Sequence, residues 1–168
     1  YDEIFYNFAL EKGYISSKIK KTKKDVRNEL IKQNKEYLFT EMQGFIYGKL
    51  IEKAPIQKGF LNSLTKLSKL NYKISIVSHK TKYPISGYKY NLHESAMNWL
   101  KKNNILNNND LNIYEKDVFF ETTVEKKIWR IEKIKCTHYV DDLEKILVKL
   151  NKKIKKIHFI NKEENINP

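Results

Sequence analysis

The order of apolar patterns along this chain predicts an open α/β fold, a mostly parallel sheet with helices on both faces. Two observations carry that expectation. Short β-branched or aromatic runs alternate with amphipathic stretches of helical period, at intervals that suit right-handed crossovers. The length, 168 residues with 40% hydrophobic and 12% aromatic side chains, supports one core and is too apolar for a disordered chain.

The first 54 residues read as helical. Phe5, Phe8 and Ala9, then Val26, Leu30 and Ile31, then Phe45, Ile46, Leu50 and Ile51 recur at three- and four-residue steps. Gly13 breaks the pattern, Ser16 and Ser17 offer N-caps, and Pro55 follows where a helix should have ended, which puts a boundary near 54–56. Residues 1–54 are thus expected as a helical segment and 55–168 as the α/β core. Within that core Phe60, Leu61, Leu64, Leu67 and Leu70 form a stripe leading to a strand at 73–78. A helix at 91–102 follows, then an Asn-rich loop at 103–109 that looks too polar to pack. A strand at 117–120, a helix at 123–135, a strand at 137–140, a helix at 142–150 and a strand at 157–160 complete the alternation. Trp99 and Trp129 are expected to pack against the sheet, and Cys136 reads as a core thiol.

Lys and Arg exceed Asp and Glu by 33 to 20, giving a formal charge of +13. Such an excess raises nucleic acid as a partner. Against it stand the scattering of the lysines among Asn and Ile and the lack of an aromatic-interleaved or Arg-rich reading motif. The run from Lys18 to Lys24 is the better phosphate-facing candidate, although charge runs are usually solvated. No apolar run approaches the roughly 20 residues of a bilayer span, so no membrane partner is expected. One cysteine cannot form an internal disulfide, which fits a cytoplasmic address. The four histidines show no ligand spacing for zinc. The first residue is Tyr1 and not Met, and a preceding segment is expected.

In an open parallel sheet, ligands bind at the carboxyl ends of the strands. Three such places carry polar side chains: Ser78 after one strand, Lys127 early in the helix after another, and Asp141 with Asp142 after a third. Adjacent carboxylates repel unless a cation or proton shares them, and one or two carboxylates with phosphate oxygens and water commonly hold Mg²⁺. Ser78 and the N–H groups of His79 and Lys80 could donate to a phosphoryl oxygen, with Lys127 offsetting negative charge. Each residue also has a plainer reading. Ser78 could cap a turn, Asp141 and Asp142 could cap the next helix, and Lys127 could face solvent, with Lys126 as the fallback.

The segments Ile76-Val-Ser78-His79-Lys80-Thr81, Phe119 to Thr123 with Glu125-Lys-Lys127-Ile128, and Cys136 to Leu143 resemble, in order, the second, third and fourth motifs of the haloacid dehalogenase-like phosphohydrolase superfamily. The resemblance spans about residues 56–160 and implies a Rossmann-like sheet. It further implies phosphoryl binding by Ser78, His79, Lys80 and Thr81, a steadying Lys127, Mg²⁺ on Asp141 or Asp142, and a small phosphorylated metabolite as substrate. Residues 1–54 resemble that family's small helical cap, and the aromatic loop at 83–90 could touch ligand. The family's first motif, an Asp-x-Asp supplying nucleophile and general acid–base, has no counterpart here. Asp2 is followed two residues on by Ile4, Asp25 lies in a basic helical run, and Asp110 and Asp117 fall in the wrong order. The resemblance therefore implies a first strand and its aspartates upstream of Tyr1, and no catalysis by residues 1–168 alone. The alternatives are a non-catalytic phosphate- or sugar-phosphate-binding module of the same fold, a receiver-like domain, and a basic nucleic-acid-binding domain.

Overall fold

A computed structural model describes residues 1–160, so the last eight residues of the expected core, 161–168, lie outside it. The described chain is mixed α/β and divides into two compact units, Tyr1–Ser75 with Thr81–Val118 and Ile76–Lys80 with the residues from Phe119 onward.

The first unit is helical: α1 (Asp2–Glu11), α2 (Lys23–Lys32), α3 (Glu36–Gly48), a 3₁₀ turn at Leu50–Lys53, α4 (Phe60–Lys69) and α5 (Leu92–Lys102). Phe5 and Ala9 on α1, Val26 and Leu30 on α2, and Phe39, Met42 and Ile46 on α3 meet in one buried cluster, each set spaced to lie on one helix face. The N-cap of α2 is Thr22, not Ser16 or Ser17. Its Oγ1 accepts from the Asp25 N–H (3.0 Å), and the adjacent Lys23 N–H donates to Asp2 Oδ1 (2.7 Å). The expected caps fall on a turn because Gly13, at φ +67°, ends α1 early and the chain needs residues 14–21 to reach α2.

Asparagine does much of the turning. Asn34, Asn71 and Asn104 each take a left-handed conformation just past a helix end, at φ 57°, 61° and 54°. At Asn34 the two closing bonds are its own N–H to the Ile31 carbonyl (2.9 Å) and the Lys35 N–H to the Leu30 carbonyl (2.8 Å), a Schellman cap. The Asn-rich loop at 103–109 does pack, contrary to the reading of its polarity. Asn104 and Asn107 supply the left-handed turns, and between them Ile105 and Leu106 are buried.

Helix α3 carries two notches one turn apart. A Cβ on Gly44 would sit 2.7 Å from Cβ of Pro84, and one on Gly48 would overlap Cβ and Cγ of Tyr90. The loop at 81–90 is seated in these notches, with Leu92 N–H donating to the Lys82 carbonyl (2.8 Å) at its base. Trp99 on α5 donates through Nε1 to the Ala54 carbonyl (2.9 Å), so it anchors a helical segment.

The second unit holds β1 (Ile76–His79), most of β2 (Val118–Glu121), α6 (Val124–Lys133), β3 (His138–Asp141), α7 (Glu144–Leu147) and β4 (Lys155–His158). β1 pairs with β2 and β3 with β4, both in parallel; the latter register sets Val140 against Ile157 and Asp141 against His158. The described strands thus form two separate pairs. α6 lies on β1, and Val77, Ile131, Tyr139, Ile146, Leu147, Leu150 and Ile154 make the core. Trp129 is 51% exposed and does not pack inward. The buried face of α6 holds Lys127 and Ile131, so Trp129 falls on the opposite side, where Lys133 Nζ lies 4.4 Å from its ring centroid. The helix expected at 142–150 is a single turn, Glu144–Leu147, whose N-cap Leu143 makes no side-chain cap bond; Asp141 and not Asp142 turns the chain into it, its Oδ1 accepting the Leu143 N–H. No described helix is long and apolar enough to cross a membrane.

Candidate functional site

The site builds from α6 and β3. Thr123 caps α6, its Oγ1 accepting the Lys126 N–H (3.2 Å), and fixes the helix phase so that Lys127 points inward beside Ile131 while Lys126 is exposed. Along β3 the side chains alternate, with Tyr139 and Asp141 inward and His138 and Val140 outward. Lys127 Nζ and Asp141 Oδ2 meet at 2.6 Å, with both side chains at or under 9% exposure. Asp141 Oδ1 accepts the Leu143 N–H at 2.9 Å.

Tyr139 ties Ser78's strand to this pair. Its hydroxyl donates to the Val77 carbonyl (2.9 Å), and the Lys127 ammonium lies 5.7 Å from its ring centroid. Ser78, next along β1, is half-buried, while His79 and Thr81 are exposed. The His79 ring Nε2 lies 3.2 Å from the Thr122 carbonyl, and the Lys80 N–H donates to the Glu121 carbonyl (2.8 Å). The Asp142 side chain is exposed, and its carbonyl lies 3.1 Å from His158 Nε2. Of the sequence-derived candidates, Lys127 and Asp141 are in direct contact, and Ser78 lies one residue from a carbonyl bonded to their neighbour. Asp142, His79 and Thr81 are exposed. At the rim, Glu125 has its carboxyl held below the usual range by its own backbone N–H and the Thr123 hydroxyl.

Tyr139 was missed as a site residue, although strand alternation marks it: two positions before Asp141, it must share that residue's face. Burial, and then the Asp141 carboxylate, push its phenol well above the ordinary value. The sign follows from proton linkage. Above about pH 10 an unfolded tyrosine loses its proton while folded Tyr139 keeps it, so stability falls as pH rises. Urea unfolding at alkaline pH should therefore cost the parent chain more stability, relative to neutral pH, than the Tyr139→Phe variant. Equal losses would remove Tyr139 from the titration.

Burial likewise raises the Cys136 thiol, which donates to the His138 carbonyl (2.9 Å) and is not poised as a nucleophile. In the basic run, Lys23 is not a phosphate-facing charge. Its ammonium donates to the Tyr47 hydroxyl (2.6 Å) and lies 5.0 Å from the Phe5 ring centroid, holding α2 against α1 and α3.

Among the described residues no group of three or more His, Cys, Asp or Glu side chains converges as a metal cage. A Mg²⁺ ion does not need one, since it commonly takes one or two carboxylates and fills its shell with phosphate oxygens and water. Asp141 and Asp142 at the carboxyl end of β3 fit that donor set, with lone pairs on Asp141 beyond those given to Lys127 and Leu143. Comparison of the chain with family models, curated proteins and solved structures returned no match.

Proposed function

We propose that this chain is the greater part of a haloacid dehalogenase-like, Mg²⁺-dependent phosphohydrolase acting on a small phosphorylated metabolite. In this reading the nucleophilic aspartate belongs to a strand upstream of Tyr1. One observation carries the proposal: a lysine and an aspartate buried as a 2.6 Å ion pair at the start of a helix and the end of a strand, bridged through Tyr139 to the strand that bears Ser78. A buried charge pair is costly to build and is a weak route to stability, so its presence at strand ends favours a functional origin.

The separation of the strands adds support. β1–β2 and β3–β4 would become one Rossmann-like sheet if a further strand lay between β1 and β3. In the intact site, Ser78 and the His79 N–H would hold the phosphoryl oxygens, the Lys80 N–H being given to the Glu121 carbonyl. Lys127 would offset charge developing on them, and Asp141 and Asp142 would hold Mg²⁺, which supplies further charge neutralisation when bound. The upstream aspartate would attack phosphorus in line to give an aspartyl-phosphate, which water then hydrolyses.

The chain extended by its own upstream coding sequence, with Mg²⁺, should release phosphate from p-nitrophenyl phosphate, while residues 1–168 alone should not. Asp141→Asn and Asp142→Asn should each lower the extended chain's rate at least about a hundredfold. Undiminished rates in both would defeat the metal assignment. The commitment of both Asp141 oxygens to Lys127 and Leu143 favours one other reading, a phosphate-binding module of the same fold without turnover. That reading predicts binding but no phosphate release from the extended chain.

A further inference from the structure

The helical unit carries a row of four aromatic rings drawn from three separate segments. Tyr88 and Tyr90 of the seated loop have centroids 6.1 Å apart, Tyr90 lies 6.1 Å from Phe45 on α3, and Phe45 lies 5.1 Å from Phe8 on α1. Tyr88 is 74% exposed, and the other three rings are partly exposed. Cations accompany the row, with Lys49 Nζ 6.0 Å from the Phe45 centroid and Lys12 Nζ 5.8 Å from that of Phe8. The loop is built in advance of any ligand, since Pro84 and Tyr90 fill the notches at Gly44 and Gly48. The stretch from 54 to 93 that contains it has seven lysines and no aspartate or glutamate. Glu41, alongside Gly87, is an acidic side chain packed against the loop.

We propose that this row is a track for single-stranded nucleic acid, on which successive bases stack while Lys12 and Lys49 meet the phosphates. Every base has a π-face, so a row of rings tilted 34°, 74° and 51° to their neighbours offers successive bases separate faces without reading their sequence, and nearby ammonium groups supply the salt-dependent part of the affinity. A rigid loop avoids the ordering cost that a flexible one would incur. The rings come from positions 8, 45, 88 and 90, so no local aromatic-basic motif announces the surface in the sequence. The track lies wholly within the helical unit and stands without the phosphohydrolase reading.

Fluorescence anisotropy of a labelled oligo(dT) of about twenty nucleotides, titrated with the 168-residue chain, tests it. Saturable binding is expected, weakening steeply between about 50 and 200 mM salt. Tyr88→Ala, a change at an exposed ring that leaves the core intact, should weaken it about tenfold, and Tyr88→Phe should restore it. Lys49→Gln should reduce the salt slope. Three results would each overturn the proposal: no binding at low salt; binding indifferent to Tyr88→Ala but lost on Lys20→Gln with Lys21→Gln; or capture of the chain by phosphatidylserine vesicles with none by the oligonucleotide.

Discussion

Lys127→Met should destabilise the chain by about 3–5 kcal/mol in urea unfolding, far more than the loss of a surface lysine. The substitution leaves the Asp141 carboxylate buried with one N–H donor, from Leu143, in place of its ammonium partner. Asp141→Asn should cost a comparable amount, because it strands the ammonium while keeping an oxygen for Leu143. Combining the two removes both charges, and most of the loss should be recovered, since what is expensive is an unpaired buried charge. A large coupling energy in this cycle is therefore expected. Additive losses would mean that the two side chains do not depend on each other. The same pair underlies the proposed chemistry, so the double variant separates roles: near-normal stability with no phosphate release from the extended chain marks the pair as functional.

Gly48→Ala should destabilise the helical unit by about 1–3 kcal/mol, although alanine is the better helix former by about 1 kcal/mol. The added Cβ would overlap the Tyr90 side chain at its root, where the ring cannot swing clear without unseating the loop. Gly13→Ala makes the comparison. Nothing lies within 4 Å of a Cβ there, and its cost is that of a left-handed φ of +67° alone. The two variants should differ in what moves. Gly48→Ala should raise amide exchange across 81–90, whereas Gly13→Ala should leave that loop protected. Unchanged exchange in Gly48→Ala would show that the loop is not held by the notch.

Local pattern made much of the fold legible. Helix α5 and strands β2 and β3 lie within a few residues of where apolar periodicity puts them, because each depends on side chains that are neighbours in sequence. Lys127 was legible in the same way. Val124, Lys127, Ile128 and Ile131 follow the i, i+3, i+4, i+7 rule, so the lysine stands within the buried stripe of its helix, while Trp129 stands outside it. What pattern does not carry is pairing across the chain. Nothing in residues 76–79 says that, among the described strands, β1 pairs with β2 and not with β3, or that a tyrosine 62 positions on would meet the Val77 carbonyl. The aromatic row is hidden for the same reason. The Asn-rich loop misled differently: polarity was read as exposure, when asparagine was supplying left-handed turns around two buried aliphatic residues.

The claim that Ser78, Lys127 and Asp141 form one phosphoryl site is tested most directly by amide-resolved NMR titration of the chain with inorganic phosphate in the presence of Mg²⁺. Saturable shifts are expected at residues 78–81, at Lys127 and at 141–142, and they should vanish together in the Lys127→Met, Asp141→Asn double variant. Shifts confined to scattered surface lysines, with the β1 and β3 ends unmoved, would contradict it.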